Sequence, residues 1–318
     1  MKLIGFQSLL VLLGMAVHAS ACMNSYEGPR LSSEALTRSE SVERQIFANH
    51  DEDWPDRALR LRAELDRGGD FRVKNDLAVA LAHAGNASQA VILFEEIERD
   101  QPGLYNTAAN LGTAYELAGD NVKALTWIRR GIERNGNAHG GTEWLHVRIL
   151  EVKLALEKNP RFLAERSILG FSIDEPPESV DIRGNRGEKL NVDRIKDALI
   201  YQLHERVQFV NRPDAVVGLL LYDLGRLIAR ESTGVGGAKD IFLQAKSYLS
   251  GLDGMDSFQR ELNGLISSAS TAQTKEHTPR LWKPLLIIAI CLWGVVIAYF
   301  SRRLLARFAK RSCADAEL

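Results

Sequence analysis

The chain has 318 residues, with 40 Lys and Arg against 41 Asp and Glu, a formal net charge of -1 and 45% hydrophobic residues. This composition is close to that of an average globular protein, and it excludes a disordered chain, a polytopic membrane protein and a collagen-like fibre. The balanced charge also argues against a nucleic-acid-binding surface, because such a surface normally needs a clustered basic excess.

The first 21 residues have the pattern of a secretory signal peptide. A charged start precedes an apolar stretch over residues 3–17, and small residues follow at Ala19 and Ala21. Cleavage after Ala21 would leave Cys22 as the first residue. Residues 19–22 (Ala-Ser-Ala-Cys) also resemble a bacterial lipoprotein signal, in which the Cys is acylated. Lipidation of Cys22 and ordinary cleavage beside an incidental Cys are therefore both open alternatives.

The C-terminal end has the pattern of a membrane anchor. Residues 284–300 carry no charge, and the segment 282–300 is long enough to cross a hydrocarbon core of about 30 Å. Basic residues are concentrated in the tail, 301–318, which predicts that the tail is cytoplasmic and the bulk of the chain periplasmic at a bacterial inner membrane. The polar stretch 266–281 is predicted to be a linker to this single membrane helix.

The middle of the chain repeats with a period of 34 residues. Residues 77–90 and 111–124 align without a gap at shared small or apolar positions: Leu77 with Leu111, Ala80 with Ala114, Ala84 with Ala118, Gly85 with Gly119, and Ala90 with Ala124. Because this is the period of tetratricopeptide repeats, the stretch 71–138 resembles that family, although Lys74 and Ala108 replace the first Trp of its pattern. The resemblance implies an all-α solenoid of antiparallel helix pairs.

Weaker helical patterns extend this prediction in both directions. We predict repeat-like helices over 30–160, including segments at 33–49 and 54–67 that together look like an imperfect repeat, and a capped helix from Thr142 to Lys158. A second helical region follows at 161–265. It contains a loop insertion at 171–190, with a possible short hairpin, and helices at 192–210, 214–230 and 237–250.

The family resemblance implies that the first helices of successive repeats line a concave face that receives a peptide or an extended segment. Asn75 and Asn110 are suited to binding a ligand backbone, because an amide side chain both donates and accepts hydrogen bonds. The matching positions are Arg72, Asn75, Asp76, Val79, His83, Asn106, Ala109, Asn110, Thr113 and Glu116.

Catalytic and metal-binding patterns are absent from the sequence, so we predict a protein that is not an enzyme and has no cofactor. His139 and His146 are the nearest approach to a metal pair, but they are expected to be a solvated loop residue and a helix-surface residue. The Gly-rich stretch 232–239 lacks the spacing of a phosphate-binding loop. We expect an adaptor that binds a partner protein or peptide in the groove. The alternatives are a small-ligand receptor or enzyme accessory subunit that uses 161–265, and an ectodomain that only oligomerises.

Overall fold

The computed structural model of the chain describes residues 23–26, 41–48, 52–171, 181–230 and 238–277, together with Leu292, Trp293 and Ile297. The chain separates into two compact units, 1–269 and 270–318. Within the described ranges all regular structure is helical, apart from one antiparallel bridge between Arg183 and Lys189. The α-helices there are α1 (Val42–Phe47), α2 (Trp54–Asp66), α3 (Phe71–His83), α4 (Ala87–Asp100), α5 (Tyr105–Leu117), α6 (Asn121–Arg134), α7 (Glu143–Lys158), α8 (Val192–Arg206), α9 (Ala215–Ile228), α10 (Lys239–Leu249) and α11 (Asp256–His277).

The helices α3 to α6 form the two pairs that the 34-residue period predicts. The turns between partners contain Gly85 at φ 82° and Gly119 at φ 87°, in the left-handed region that a residue with a Cβ adopts only at a cost. Asp70 and Asp120 cap α3 and α6 by accepting backbone N–H bonds in the first turn. Among the described helices from α2 to α10, each packs against the next one described, which is the arrangement of a helical repeat.

Two hydrophobic clusters hold these helices together. The first contains Leu77, Phe94, Leu111 and Ile128 from α3 to α6, and the small residues that the sequence marked are fully buried where partner helices approach: Ala80, Ala90, Ala114 and Ala124. The second is formed by α1 and α7 to α11. The apolar residues of these clusters are therefore covered by neighbouring helices, and the stability of the repeats depends on this stacking.

Two local predictions need correction. The segment containing α1 was expected to pair with α2, but Ile46 is buried in the second cluster and α1 packs mainly against α8 and α10. Thr142 precedes α7 without capping it, since its Oγ1 donates instead to the carbonyl oxygen of His139 at 2.9 Å. The predicted apolar face of α7 is present, with Leu145, Ile149 and Val152 buried and with Trp144 and Leu156 partly buried.

The connecting segments and the two ends are described only in part. In the predicted insertion, residues 182–190 turn back on themselves, and Leu190 N donates to Ile182 O at 3.0 Å. The predicted linker is helical as far as residue 277, as the end of α11. None of the helices in the described ranges is long and apolar enough to span a bilayer. The predicted signal (1–21), Cys22 and the tail (301–318) lie outside the described residues. So do the Gly-rich stretch (232–239) apart from Ala238 and Lys239, and the anchor (282–300) apart from Leu292, Trp293 and Ile297.

Candidate functional site

The residues predicted to line a groove lie on α3 and α5, and most of them are covered by other parts of the chain. Arg72 is exposed and His83 is half-buried. The others are at most 7% exposed: Asn75, Asp76, Val79, Asn106, Ala109, Asn110, Thr113 and Glu116. The face shared by α3 and α5, which we call the groove, is therefore occupied. Residues 23–26 cover one part of it, and side chains from α7 and α8 cover another.

Residues 23–26, which we call the resident segment, are held by side chains of the groove. Asn110 Oδ1 accepts from Asn24 N at 2.6 Å, while Asn110 Nδ2 and Asn75 Nδ2 donate to Asn24 O at 3.0 and 2.8 Å. Asp76 Oδ1 accepts from Tyr26 N at 2.7 Å. We call Asn75, Asp76 and Asn110 the backbone clamp, because together they satisfy both main-chain polar groups of one residue and the N–H two residues further on.

The backbone clamp is internally ordered as well as bound to the resident segment. Asn110 Nδ2 donates to Asn75 Oδ1 at 2.9 Å, and Asn75 Nδ2 donates to Asp76 Oδ1 at 2.9 Å. This relay orients both amides, so their donors and acceptors point in defined directions. A buried and mutually bonded set of polar groups is rigid and costly to disturb. The clamp is therefore preorganised to bind an extended main chain.

The two ends of the resident segment make side-chain contacts. Met23 is fully buried and joins the hydrophobic cluster of α3 to α6. Tyr26 meets the Phe71 ring edge-on, with centroids 5.7 Å apart, and the Arg72 guanidinium lies 5.9 Å from the Tyr26 ring centroid. An apolar residue and an aromatic residue three positions later thus flank the clamped backbone.

Several of the predicted groove residues make contacts with parts of the chain other than the resident segment. His83 is stacked between Trp54 and Phe209, with ring centroids 3.8 and 4.3 Å away. Thr113 Oγ1 donates to the Ala109 carbonyl oxygen of its own helix at 3.2 Å. Asn106 lies one turn before Asn110 and is 4% exposed, and its Oδ1 has no hydrogen-bond partner in the described part of the chain.

Glu116, the last of the predicted residues, forms a buried ionic cluster. Arg206 of α8 bonds both of its carboxylate oxygens at 2.7 and 3.1 Å, and the His146 Nε2 and Lys153 Nζ atoms of α7 lie 2.7 and 2.9 Å from them. Burial alone would raise the pKa of Glu116. The charges of Arg206 and Lys153, with His146, outweigh burial and hold that pKa well below its usual value. Glu116 therefore fastens α5 to α7 and α8.

The two histidines lie in this cluster, so the expectation that they would be solvated is wrong. His146 is 1% exposed and its Nδ1 is 3.4 Å from a Glu143 oxygen, while His139 Nδ1 contacts the other oxygen of Glu143. Burial would lower the pKa of His146, but the carboxylates of Glu116 and Glu143 outweigh it and raise that pKa. Although burial opposes the shift, His139 and His146 lower the pKa of Glu143. No group of three His, Cys, Asp or Glu suited to a metal ion occurs in the described ranges.

The region 161–265 contributes a further buried carboxylate and an open cavity. Asp223 is fully buried, and its Oδ2 accepts from Leu169 N at 3.0 Å. Burial raises the pKa of Asp223 to about 7, against smaller opposing effects from Ser167 and nearby cations. The cavity of about 520 Å³ is lined by Phe47, Ala48, Trp54, Val207, Gln208, Val210, Asn211, Arg212 and Tyr248.

Sequence reasoning missed the resident segment and Arg206. Local periodicity places a helix over α8 but gives no sign that Arg206 reaches Glu116, 90 positions away. Nothing in residues 23–26 marks them as a ligand of the groove. Comparisons with protein-family models, with curated proteins and with solved structures found no match to the chain.

Proposed function

We propose that the chain is a non-enzymatic adaptor that holds an extended segment of a partner protein in the groove between α3 and α5. The observation that supports this most directly is the backbone clamp. Asn110 accepts from and donates to the main chain of the same residue, and Asn75 donates to the same carbonyl oxygen. Main-chain hydrogen bonds supply affinity for extended peptides, while flanking side-chain contacts supply selectivity.

The 34-residue period and the stacking of successive helices support a scaffold of tetratricopeptide type. The location is proposed from the sequence. The signal pattern at 1–21 and the charge-free segment with its basic tail favour a single-pass protein of a bacterial inner membrane. In that arrangement the groove faces the periplasm, and the partner is an envelope protein.

A second candidate function is a small-ligand receptor or enzyme accessory subunit that uses 161–265. The cavity of about 520 Å³ favours it, because its volume falls in the range of small-molecule sites. Arg212 lies 4.8 Å from the Tyr248 ring centroid and 5.8 Å from that of Phe47, so aromatic surface and a cation are present together. A ligand that binds in this cavity, and whose affinity does not change when the clamp is altered, would support this candidate over the adaptor.

Crosslinking in living cells followed by capture of the full-length chain tests the adaptor. We expect one specific envelope protein with the wild type and its loss with Asn110→Asp, because the new carboxylate cannot donate to a partner carbonyl oxygen. The matched control is Asn263→Asp, the same chemical change at an exposed position of α11. Circular dichroism confirms that both variants fold. Capture that is equal in all three chains would contradict the proposal.

A further inference from the structure

The resident segment shows which features of a bound chain the groove can recognise. Every strong polar contact of Asn24 uses its main chain, whereas its side-chain Nδ2 reaches Asn110 Oδ1 only at 3.4 Å. The side chain of Asn24 is half-buried. The identity of the clamped residue should therefore matter little, provided that it has a backbone N–H.

Selectivity comes from the residues on either side. Met23 is fully buried in the cluster that includes Leu77 and Leu111, so a polar residue there would lose a buried apolar contact. Tyr26 contacts both the Phe71 ring and the Arg72 guanidinium, which also lies 5.5 Å from the Phe71 ring centroid, and this setting favours an aromatic ring. The pattern that fits is an apolar residue, followed directly by a residue held mainly through its backbone, with an aromatic residue three positions after the apolar one.

The resident segment leaves one polar group of the groove unused. The Asn106 Oδ1 atom is buried one turn before Asn110 and accepts no hydrogen bond in the described part of the chain. An unmet buried acceptor is costly, so a bound chain that supplies a donor there gains affinity that the resident segment lacks. An external segment that places a donor there can therefore compete with residues 23–26.

We propose that residues 23–26 are an intramolecular occupant of the groove, displaced by an extended partner segment that carries an apolar residue three positions before an aromatic one. This rests on the proposed adaptor function. It adds the sequence pattern of the partner segment and says what covers the groove when no partner is bound. The resident segment belongs to the same chain, so its local concentration is high and weakly matching peptides are excluded. Only a segment that provides both the apolar and the aromatic residue, and that also bonds a further polar group such as Asn106 Oδ1, displaces the resident segment.

A labelled peptide with the sequence of residues 22–30, carrying Cys22→Ser, tests the proposal against the purified full-length chain. Two independent changes in the chain weaken the resident segment. Asn24→Pro removes the N–H that Asn110 accepts, and Met23→Asp removes the apolar anchor. We expect both variants to bind the peptide at least about tenfold more tightly than the wild type, because the occupant no longer competes. Adding Asn110→Asp to Asn24→Pro should abolish this gain.

Two altered peptides separate backbone recognition from side-chain recognition. N-methylation at the position of Asn24 should weaken binding to the Asn24→Pro chain by about tenfold, since it removes one buried hydrogen bond. Asn24→Ala in the peptide should stay within about threefold, because its side chain contributes little.

The proposal is overturned if neither variant binds the peptide more tightly than the wild type, or if Asn110→Asp leaves the gain intact. Failure of the adaptor function gives a different result. In that case both variants bind the peptide more tightly than the wild type, as expected, but no envelope protein is captured by the clamp. If capture depends on the clamp and the variants do not bind the peptide more tightly, residues 23–26 are not an occupant that a partner displaces. The adaptor function would still be supported.

Discussion

Removing the charge of Glu116 should destabilise the fold more than breaking an exposed ion pair does. In Glu116→Gln the guanidinium of Arg206, whose side chain is 8% exposed, loses a partner that bonds it at 2.7 and 3.1 Å. Breaking a buried pair from one side costs about 3–5 kcal/mol, because the remaining charge stays buried without compensation. For a domain of this size, that corresponds to a fall of about 6–20 °C in unfolding temperature.

The expected loss has a characteristic pH dependence. The lowered pKa of Glu116 contributes stability that is present above its unfolded value of about 4.3 and is lost as pH falls. The raised pKa of His146 contributes stability that is complete below about 6.5 and is lost as pH rises through its folded pKa. The difference between wild type and Glu116→Gln should therefore be largest between about pH 4.5 and 6.5.

Thermal and urea unfolding followed by circular dichroism measure this difference. The matched control is Glu151→Gln, which breaks the ion pair with Arg129, where the side chains are 40% and 55% exposed. That variant should lose no more than about 1 kcal/mol. Replacing both members of the buried pair, with Glu116→Gln and Arg206→Met, should recover part of the loss. A loss in Glu116→Gln no larger than in the control, or one independent of pH, would show that the buried pair does not stabilise the fold in this way.

Two further stability predictions follow from the described packing. Burial raises the pKa of Asp223 to about 7, so the native chain should lose stability as pH rises from about 4 to 7. Asp223→Asn should remove this loss and be more stable at pH 8 by about 1–4 kcal/mol in urea unfolding, whereas an unchanged pH profile would contradict it. Gly112→Ala should cost about 1–3 kcal/mol, because a Cβ there would lie 2.6 Å from Ile128 Cδ1. Gly131→Ala is the control, since its Cβ would meet Ala109 N at an ordinary 3.5 Å; equal unfolding temperatures for the two variants would disprove the packing argument.

The helix pairs could be predicted from the sequence because their determinants are local. Leu77 and Leu111, like Gly85 and Gly119, are 34 residues apart and occupy equivalent positions in two successive helix pairs. Each position has the same structural role in both pairs. The suitability of Asn75 and Asn110 for binding a backbone follows from amide chemistry in the same way. That a partner protein uses them stays a prediction.

The occupant of the groove and the ionic cluster could not be predicted, because both depend on contacts between distant parts of the chain. Residues 23–26 carry no periodic pattern, and Asn24 meets Asn110 across 86 positions. His146 has the local setting of a helix-surface residue, and only the docking of α5 and α8 buries it beside Glu116. Long-range pairing of charges leaves no trace in spacing along the sequence.

Photocrosslinking in cells tests whether a partner segment lies against the backbone clamp. A photoreactive residue would replace Arg72, which is exposed beside the resident segment, and in a second chain Val122, which is 63% exposed on α6. We expect one envelope protein to be crosslinked at position 72, absent at position 122, and lost when Asn110→Asp is added. The same products at both positions, or a product at position 72 that survives Asn110→Asp, would show that the clamp does not hold a partner segment.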